Sequence, residues 1–214
     1  RMNVSNFARA VELLGQAIGR SSIPIFECIY LRSVGDNLLM VARGSTTTIV
    51  RKVAVGSDMG LNVAVPRDML HRVLGALPDG ELKIWQAGTV LHLRCEGTDA
   101  KIAGMADDNK LMELAIPKTS WWIEFDKASA FTAALSRVRH AVAAAKLGRG
   151  VYGGVGLKLE DGRLESTAFD GVQFASVVID GPSDEESPLA FNVAVAGDAV
   201  LPLIKIGNEM QSCR

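Results

Sequence analysis

Basic side chains are the residues of this chain with the clearest chemistry to offer. Between Asp126 and Arg149 stand Lys127, Arg137, Arg139, Lys146 and Arg149 against the single acid Asp126, a local charge of +4 in a chain whose formal net charge is -1. Arg9, Arg20, Arg67, Arg72 and Lys205 extend the set onto other helical stretches. A protein with a pI near 6.4 does not coat a polyanion with its whole surface, so any polyanion site must be local. The excess acid must lie elsewhere, and Asp184, Glu185 and Glu186 on a predicted loop supply part of it. The alternative for the basic set is that it lines ordinary solvated helix faces.

Other reactive residue types form no working constellation. His71, His92 and His140 fall on a helix face, a strand and a helix end, with no regular spacing to cysteines or carboxylates. Cys28, Cys95 and Cys213 are odd in number and far apart, which gives neither a disulfide framework nor metal-ligand spacing. Asp107 and Asp108 are paired carboxylates, but a linker after a strand offers no burial to split their pKa values. The glycine-rich stretch Gly148 to Gly156 runs into a strand, so it does not form the helix N-terminus that cradles phosphate. A non-catalytic protein without cofactor or metal is expected. No apolar run approaches the roughly 18 residues needed to span a bilayer, and no signal-peptide core opens the sequence. The expectation is a soluble, cytoplasmic protein with free thiols.

The elements that must carry these residues are legible in outline. Asn6 or Ser5 can cap a first helix whose Phe7, Ala10, Val11, Leu14 and Ile18 recur at helical spacing, ending at Gly19. Pro24 forbids its continuation, and alternating Ile29, Leu31, Leu39 and Val41 around Gly35-Asp36-Asn37 read as a hairpin. Further β-branched stretches at Thr46 to Val50 and Val53 to Val55, then Leu61 to Val65, precede a second helix with Pro66 in its first turn. There Met69, Leu70, Val73, Leu74 and Leu77 form the buried stripe, and Arg67, Asp68, His71 and Arg72 point to solvent. Three short strands follow between Leu82 and Met105 as a meander, then a polar linker from Ala106 to Ser120. A strand at Trp121 to Phe125 and a helix capped by Asp126, carrying Phe131, Leu135, Val138 and Val142, begin the order again. Strands at Val155 to Leu159, Leu164 to Phe169 and Gln173 to Ile179 follow, and Asn192 is expected to cap a last helix to about Ile206. A helix-and-strand unit is thus written repeatedly.

Several segments in this order resemble the bacterial DNA polymerase III beta subunit, the sliding clamp. They are Gly19-Arg20-Ser21-Ser22-Ile23-Pro24-Ile25, Val65-Pro66-Arg67, Leu77-Pro78-Asp79-Gly80-Glu81, Phe131 to Val142, Tyr152-Gly153-Gly154, and Ala168-Phe169-Asp170-Gly171-Val172-Gln173-Phe174. The resemblance implies an α+β DNA clamp fold of repeated helix-plus-antiparallel-sheet units, with helices on the DNA side and sheets outside. It implies one clamp domain over residues 1–118 and a second over 119–214 that lacks its last strands, the third domain being absent. It also implies a processivity factor that encircles duplex DNA as a homo-oligomeric ring, works with a polymerase and a clamp loader, and touches no membrane. A sliding ring needs many weak phosphate contacts, and the resemblance points to Arg9, Arg20, Arg67, Arg72, Arg137, Arg139, Lys146 and Arg149 for them. Arg20 stands where the family pattern also has arginine.

The family's peptide cleft uses a Thr-Asp-Gly-His-Arg segment, of which this chain keeps only Asp170-Gly171. Tyr152, Asp170, Gly171, Val172 and Phe174 are the candidate cleft residues, the competing expectation being a hairpin packed into the core. A degenerate clamp homologue or fragment that binds a protein partner without encircling DNA is the alternative function.

Overall fold

Helix α1 (Val4–Leu14) starts where Asn3, in extended geometry, accepts a hydrogen bond from the Asn6 backbone N–H at 2.8 Å. The cap is therefore Asn3, ahead of both Ser5 and Asn6, and Val4 joins Phe7, Ala10, Val11 and Leu14 on the buried face. Full burial of Phe7 and Leu14 contributes about 1.5–3 kcal/mol each. The computed structural model describes residues 2–19, 21–44, 47–108, 110–113, 128–142, 153–181 and 190–212. Arg20, the boundary near Lys118, the strand at Trp121 to Phe125, Asp126, Lys127, Lys146, Arg149, Tyr152, the acidic loop at Asp184 to Glu186 and Cys213 lie outside the described residues. The chain divides into two units, Arg1–Ala115 and Ile116–Arg214.

In the first unit, β1 (Cys28–Val34), β2 (Asn37–Arg43), β3 (Thr48–Ala54) and β4 (Asn62–Pro66) form an antiparallel sheet in the order β3-β2-β1-β4. Val34 pairs with Asn37, which leaves a two-residue turn at Gly35 and Asp36, and Gly35 supplies the positive φ of +56° that such turns demand. Both faces of β1 are buried over its first four residues, Cys28 to Leu31. Cys28 and Tyr30 meet Ile25, Val41, Ala64 and Met112 on one side, under a short 3-10 turn (Pro24–Glu27). On the other face lie Ile29, Leu31, Leu38 and Met40, all buried. Asp107 fixes the covering segment by accepting from the Leu111 and Met112 backbone N–H groups at 2.8 and 2.7 Å. That accounts for one carboxylate of the Asp107-Asp108 pair as a cap.

Helix α2 (Arg67–Ala76) leads to the meander β5 (Lys83–Ala87), β6 (Val90–Cys95) and β7 (Thr98–Ala103), joined in sequence order. The β6–β7 turn puts Glu96 and Gly97 at φ +47° and +81°, and Asp161-Gly162 repeats the device at +50° and +68°. Met69 departs from its expected place in the α2 stripe: it is exposed, while Leu70, Leu74 and Leu77 are buried.

The first described element of the second unit is α3 (Ala128–Val138), then a 3-10 turn (Arg139–Ala141), followed by β8 (Gly154–Glu160), β9 (Arg163–Phe169), β10 (Phe174–Asp180) and β11 (Phe191–Ala196). Their order, β10-β9-β8-β11, repeats the order of the first sheet, and again a helix stands at each end of the four strands. The last helix, α4 (Gly197–Ser212), begins at Gly197, not at Asn192. Phe191 to Ala196 instead pair residue by residue with β8, and Asn192 faces Lys158. Alternation of Val193 and Val195 suits that strand pairing better than a helix. Leu135, Val138, Val155, Leu157, Leu164, Val200 and Ile204 form the core, with α3 and α4 on one face of the sheet. The two helices approach closely: a Cβ on Gly207 would lie 2.2 Å from Thr132 Cγ2.

Candidate nucleic-acid interface

The basic residues that the structure describes are carried by helices whose apolar faces are already committed to their own cores. On α1, burial of Val4, Phe7, Ala10, Val11 and Leu14 leaves Arg9 and Glu12 exposed. On α2, which packs against α1, Arg72 is exposed and its guanidinium Nη2 reaches Met69 Sδ at 2.8 Å. Arg67 behaves differently from its expected solvent-facing role. Its side chain is only 28% exposed, Nη1 pairs with Asp68 Oδ1 at 2.8 Å, and Nε is buried with no acceptor among the described residues. The guanidinium sits beneath Gly15, where a Cβ would lie 2.6 Å from Nε. The neighbouring Arg67 guanidinium holds the Asp68 carboxyl below its usual range, first through their hydrogen bond.

In the second unit α3 and its 3-10 extension carry the cleaner signal. Thr132, Ala134, Leu135 and Val138 point inward, which leaves Arg137, Arg139 and His140 exposed, and residues 128–142 contain no acid. Lys205 is exposed on α4, which packs against α3. Surface guanidinium and ammonium groups in such a setting can hold phosphate oxygens without reading bases. Arg9 and Arg72 therefore share one helix pair, and Arg137, Arg139 and Lys205 another. No cluster of three or more potential metal ligands occurs among the described residues.

Asp170, Gly171, Val172 and Phe174, the described members of the candidate peptide set, lie at the β9–β10 hairpin tip. Asp170 Oδ1 accepts from the Val172 and Gln173 backbone N–H groups at 2.8 and 2.6 Å, and Gly171 takes φ +99° to close the turn. These backbone donors, Gln173 first, hold the Asp170 carboxyl below its usual range. Val172 is 90% and Phe174 67% exposed, so this hairpin is not packed into the core. The helices of the unit cover the face carrying Ala175, Val177 and Ile179, which leaves alternate positions of β10 in solvent. Their outward position was missed because alternation separates two faces without saying which is covered.

This repeated arrangement, a four-stranded antiparallel sheet with a pair of packed helices, defines an α+β protein built from duplicated helix-and-sheet units. Its overall course is that of the bacterial sliding clamp. The DNA polymerase III subunit beta of Pseudomonas aeruginosa aligns at TM-score 0.79 and 18% identity, over 97% of this chain and 56% of that one. The beta subunit from Thermotoga maritima aligns at TM-score 0.84 and 18% identity, over 97% and 55%. The DNA polymerase sliding clamp from Bacillus subtilis gives 0.82 and 18%, over 96% and 55%. The chain thus spans a little over half the length of these structures. No protein-family model and no curated protein matches its sequence. The likeness establishes the fold. Among the described residues no helix is long and apolar enough to cross a membrane.

Proposed function

We propose that this chain is a non-catalytic sliding-clamp subunit or a part of one, which takes part in encircling duplex DNA through its helices. The observation that carries the reading is the exposed pair Arg137 and Arg139, on α3 and its 3-10 extension, a segment free of acids within a chain of clamp fold. Arg9 and Arg72 extend the cationic surface in the first unit, and Arg67, paired with Asp68 and 28% exposed, adds to it in part. Arg20, Lys146 and Arg149 join the set from their positions in the sequence. Phosphate contacts of this kind bind without sequence preference, as sliding requires. The proposed domains are residues 1–118 and 119–214, the proposed assembly is a homo-oligomeric ring in the cytoplasm, and a polymerase and a clamp loader are the proposed partners.

Topology supplies the test. Protein loaded on a nicked circular plasmid should co-elute with it through gel filtration, and cutting the plasmid once should release the protein. Equal retention on circular and linear DNA would overturn encirclement.

A second reading rests on the exposed Val172 and Phe174, which suit a protein-interaction module with the clamp fold that does not encircle DNA. Asp170 and Gly171 would hold that tip in shape, and Tyr152 joins the proposed set from the resemblance alone. Under this reading the plasmid's topology has no effect, and a partner bound at the tip is lost in Phe174→Ser.

A further inference from the structure

The meander β5–β7 turns Ile84, Leu91, Leu93 and Ile102 into the core and leaves the opposite face open. Strand register sorts that open face into two rows. One row is Trp85, His92 and Lys101, and the next is Lys83, Arg94 and Asp99. Trp85, 37% exposed, stacks on His92 with ring centroids 5.0 Å apart and planes 19° from parallel. The Arg94 guanidinium lies over the indole at 5.5 Å and forms an ion pair with Asp99, where Nη2 meets Oδ2 at 2.8 Å. Lys83 and Lys101 have no ion-pair partner among the described residues.

We propose that this face is a binding platform for single-stranded nucleic acid, with bases stacking on the Trp85–His92 pair and phosphates meeting Lys83, Lys101 and Arg94. Three fixed cations against one acid select a polyanion. A stacked pair of aromatic rings on an open sheet face selects one whose π-faces are available to extend the stack, as in single strands and not in a duplex. An acidic peptide would satisfy the lysines and leave the rings without a role. An exposed cation–π contact is weaker than base–aromatic stacking, so a base can take the place of Arg94 over the indole while Asp99 keeps the guanidinium near for a phosphate. The platform lies on strands, apart from the helix faces proposed for duplex DNA. Its failure and the failure of the clamp reading are therefore separate results.

The test is fluorescence anisotropy of a labelled oligothymidylate, about twenty nucleotides long, with the full 214-residue chain at about 50 mM salt. Trp85→Leu should weaken binding about 5- to 100-fold, and Trp85→Phe, which keeps a stacking ring, should stay within about threefold. Reversal of both lysines, Lys83→Glu with Lys101→Glu, touches no core residue and should lower the salt slope by about 1.4. Unlabelled oligothymidylate should compete far better than polyglutamate or a blunt duplex of equal length. The proposal is overturned by the absence of binding at this salt, by unchanged affinity in Trp85→Leu or in the double reversal, or by polyglutamate or the duplex competing as well as the single strand.

Discussion

A guanidinium nitrogen that has given up water and found no acceptor costs about 1–3 kcal/mol, and Arg67 Nε, beneath Gly15, has no acceptor among the described residues. Its compensating pair with Asp68 is a surface contact worth about 0–1 kcal/mol. Arg67→Met keeps most of the packed stem and removes both terms, so its stability should equal the parent's or exceed it by up to about 3 kcal/mol in urea unfolding. A loss above about 2 kcal/mol would make Arg67 a structural residue first. Asp170 offers a residue-scale test in pH. Its folded pKa is depressed by the Gln173 and Val172 N–H groups, so the stability it supplies is present above the unfolded value of about 3.9 and is lost as pH falls through the lower folded value. The difference in Tm between the parent and Asp170→Asn should accordingly be greatest near neutrality and shrink below about pH 4. A constant difference across that range would show that the carboxylate charge contributes nothing.

Helix packing decides what happens between α3 and α4. Glycine inside a helix costs about 1 kcal/mol relative to alanine, yet an alanine Cβ at 207 would meet Thr132 Cγ2 at 2.2 Å. Thr132 cannot simply turn its methyl away, because its Oγ1 reaches Ser129 O at 3.2 Å and Asn208 Oδ1 at 3.1 Å. Gly207→Ala should therefore destabilise by about 1–3 kcal/mol, and adding Thr132→Ser, which deletes the methyl and keeps the hydroxyl, should recover most of it in calorimetry. Additive effects in the double variant would place the strain elsewhere. Such close approaches were beyond the sequence, whereas the hairpins were not: glycines at 35, 97 and 162 announce their turns through the backbone geometry those turns need. Phe191 to Ala196 misled because a short apolar run beside a helix carries either period, and only pairing with β8 decides it. Arg137 and Arg139 were legible as outward residues from helical spacing, while the burial of Arg67 depends on the end of α1, far away in sequence.

Across the whole molecule the net charge of -1 opposes any general attraction to DNA, so affinity must come from where cations are concentrated. The repeated unit explains how a nearly neutral chain can manage this. Each four-stranded sheet takes apolar residues from its helices, and arginines on the remaining helix surface stay in water, beside Glu12 and Asp68 in the first unit and with no acid in residues 128–142 of the second. In duplex DNA every phosphate that a protein ceases to neutralise removes about 0.9 from the slope of log affinity against log salt. Arg137→Ala with Arg139→Ala should then lower the slope of binding to a blunt duplex by roughly 1.8, if each arginine holds one phosphate, and weaken binding most at low salt. Both residues are exposed, so the double variant should unfold at the parent's temperature, and the change in slope then reports on DNA alone. A slope equal to the parent's at unchanged Tm would remove α3 from the DNA side. The cationic surface would then rest on Arg9 and Arg72 in the first unit, and the same pair of measurements on Arg9→Ala with Arg72→Ala would decide between the two helix pairs.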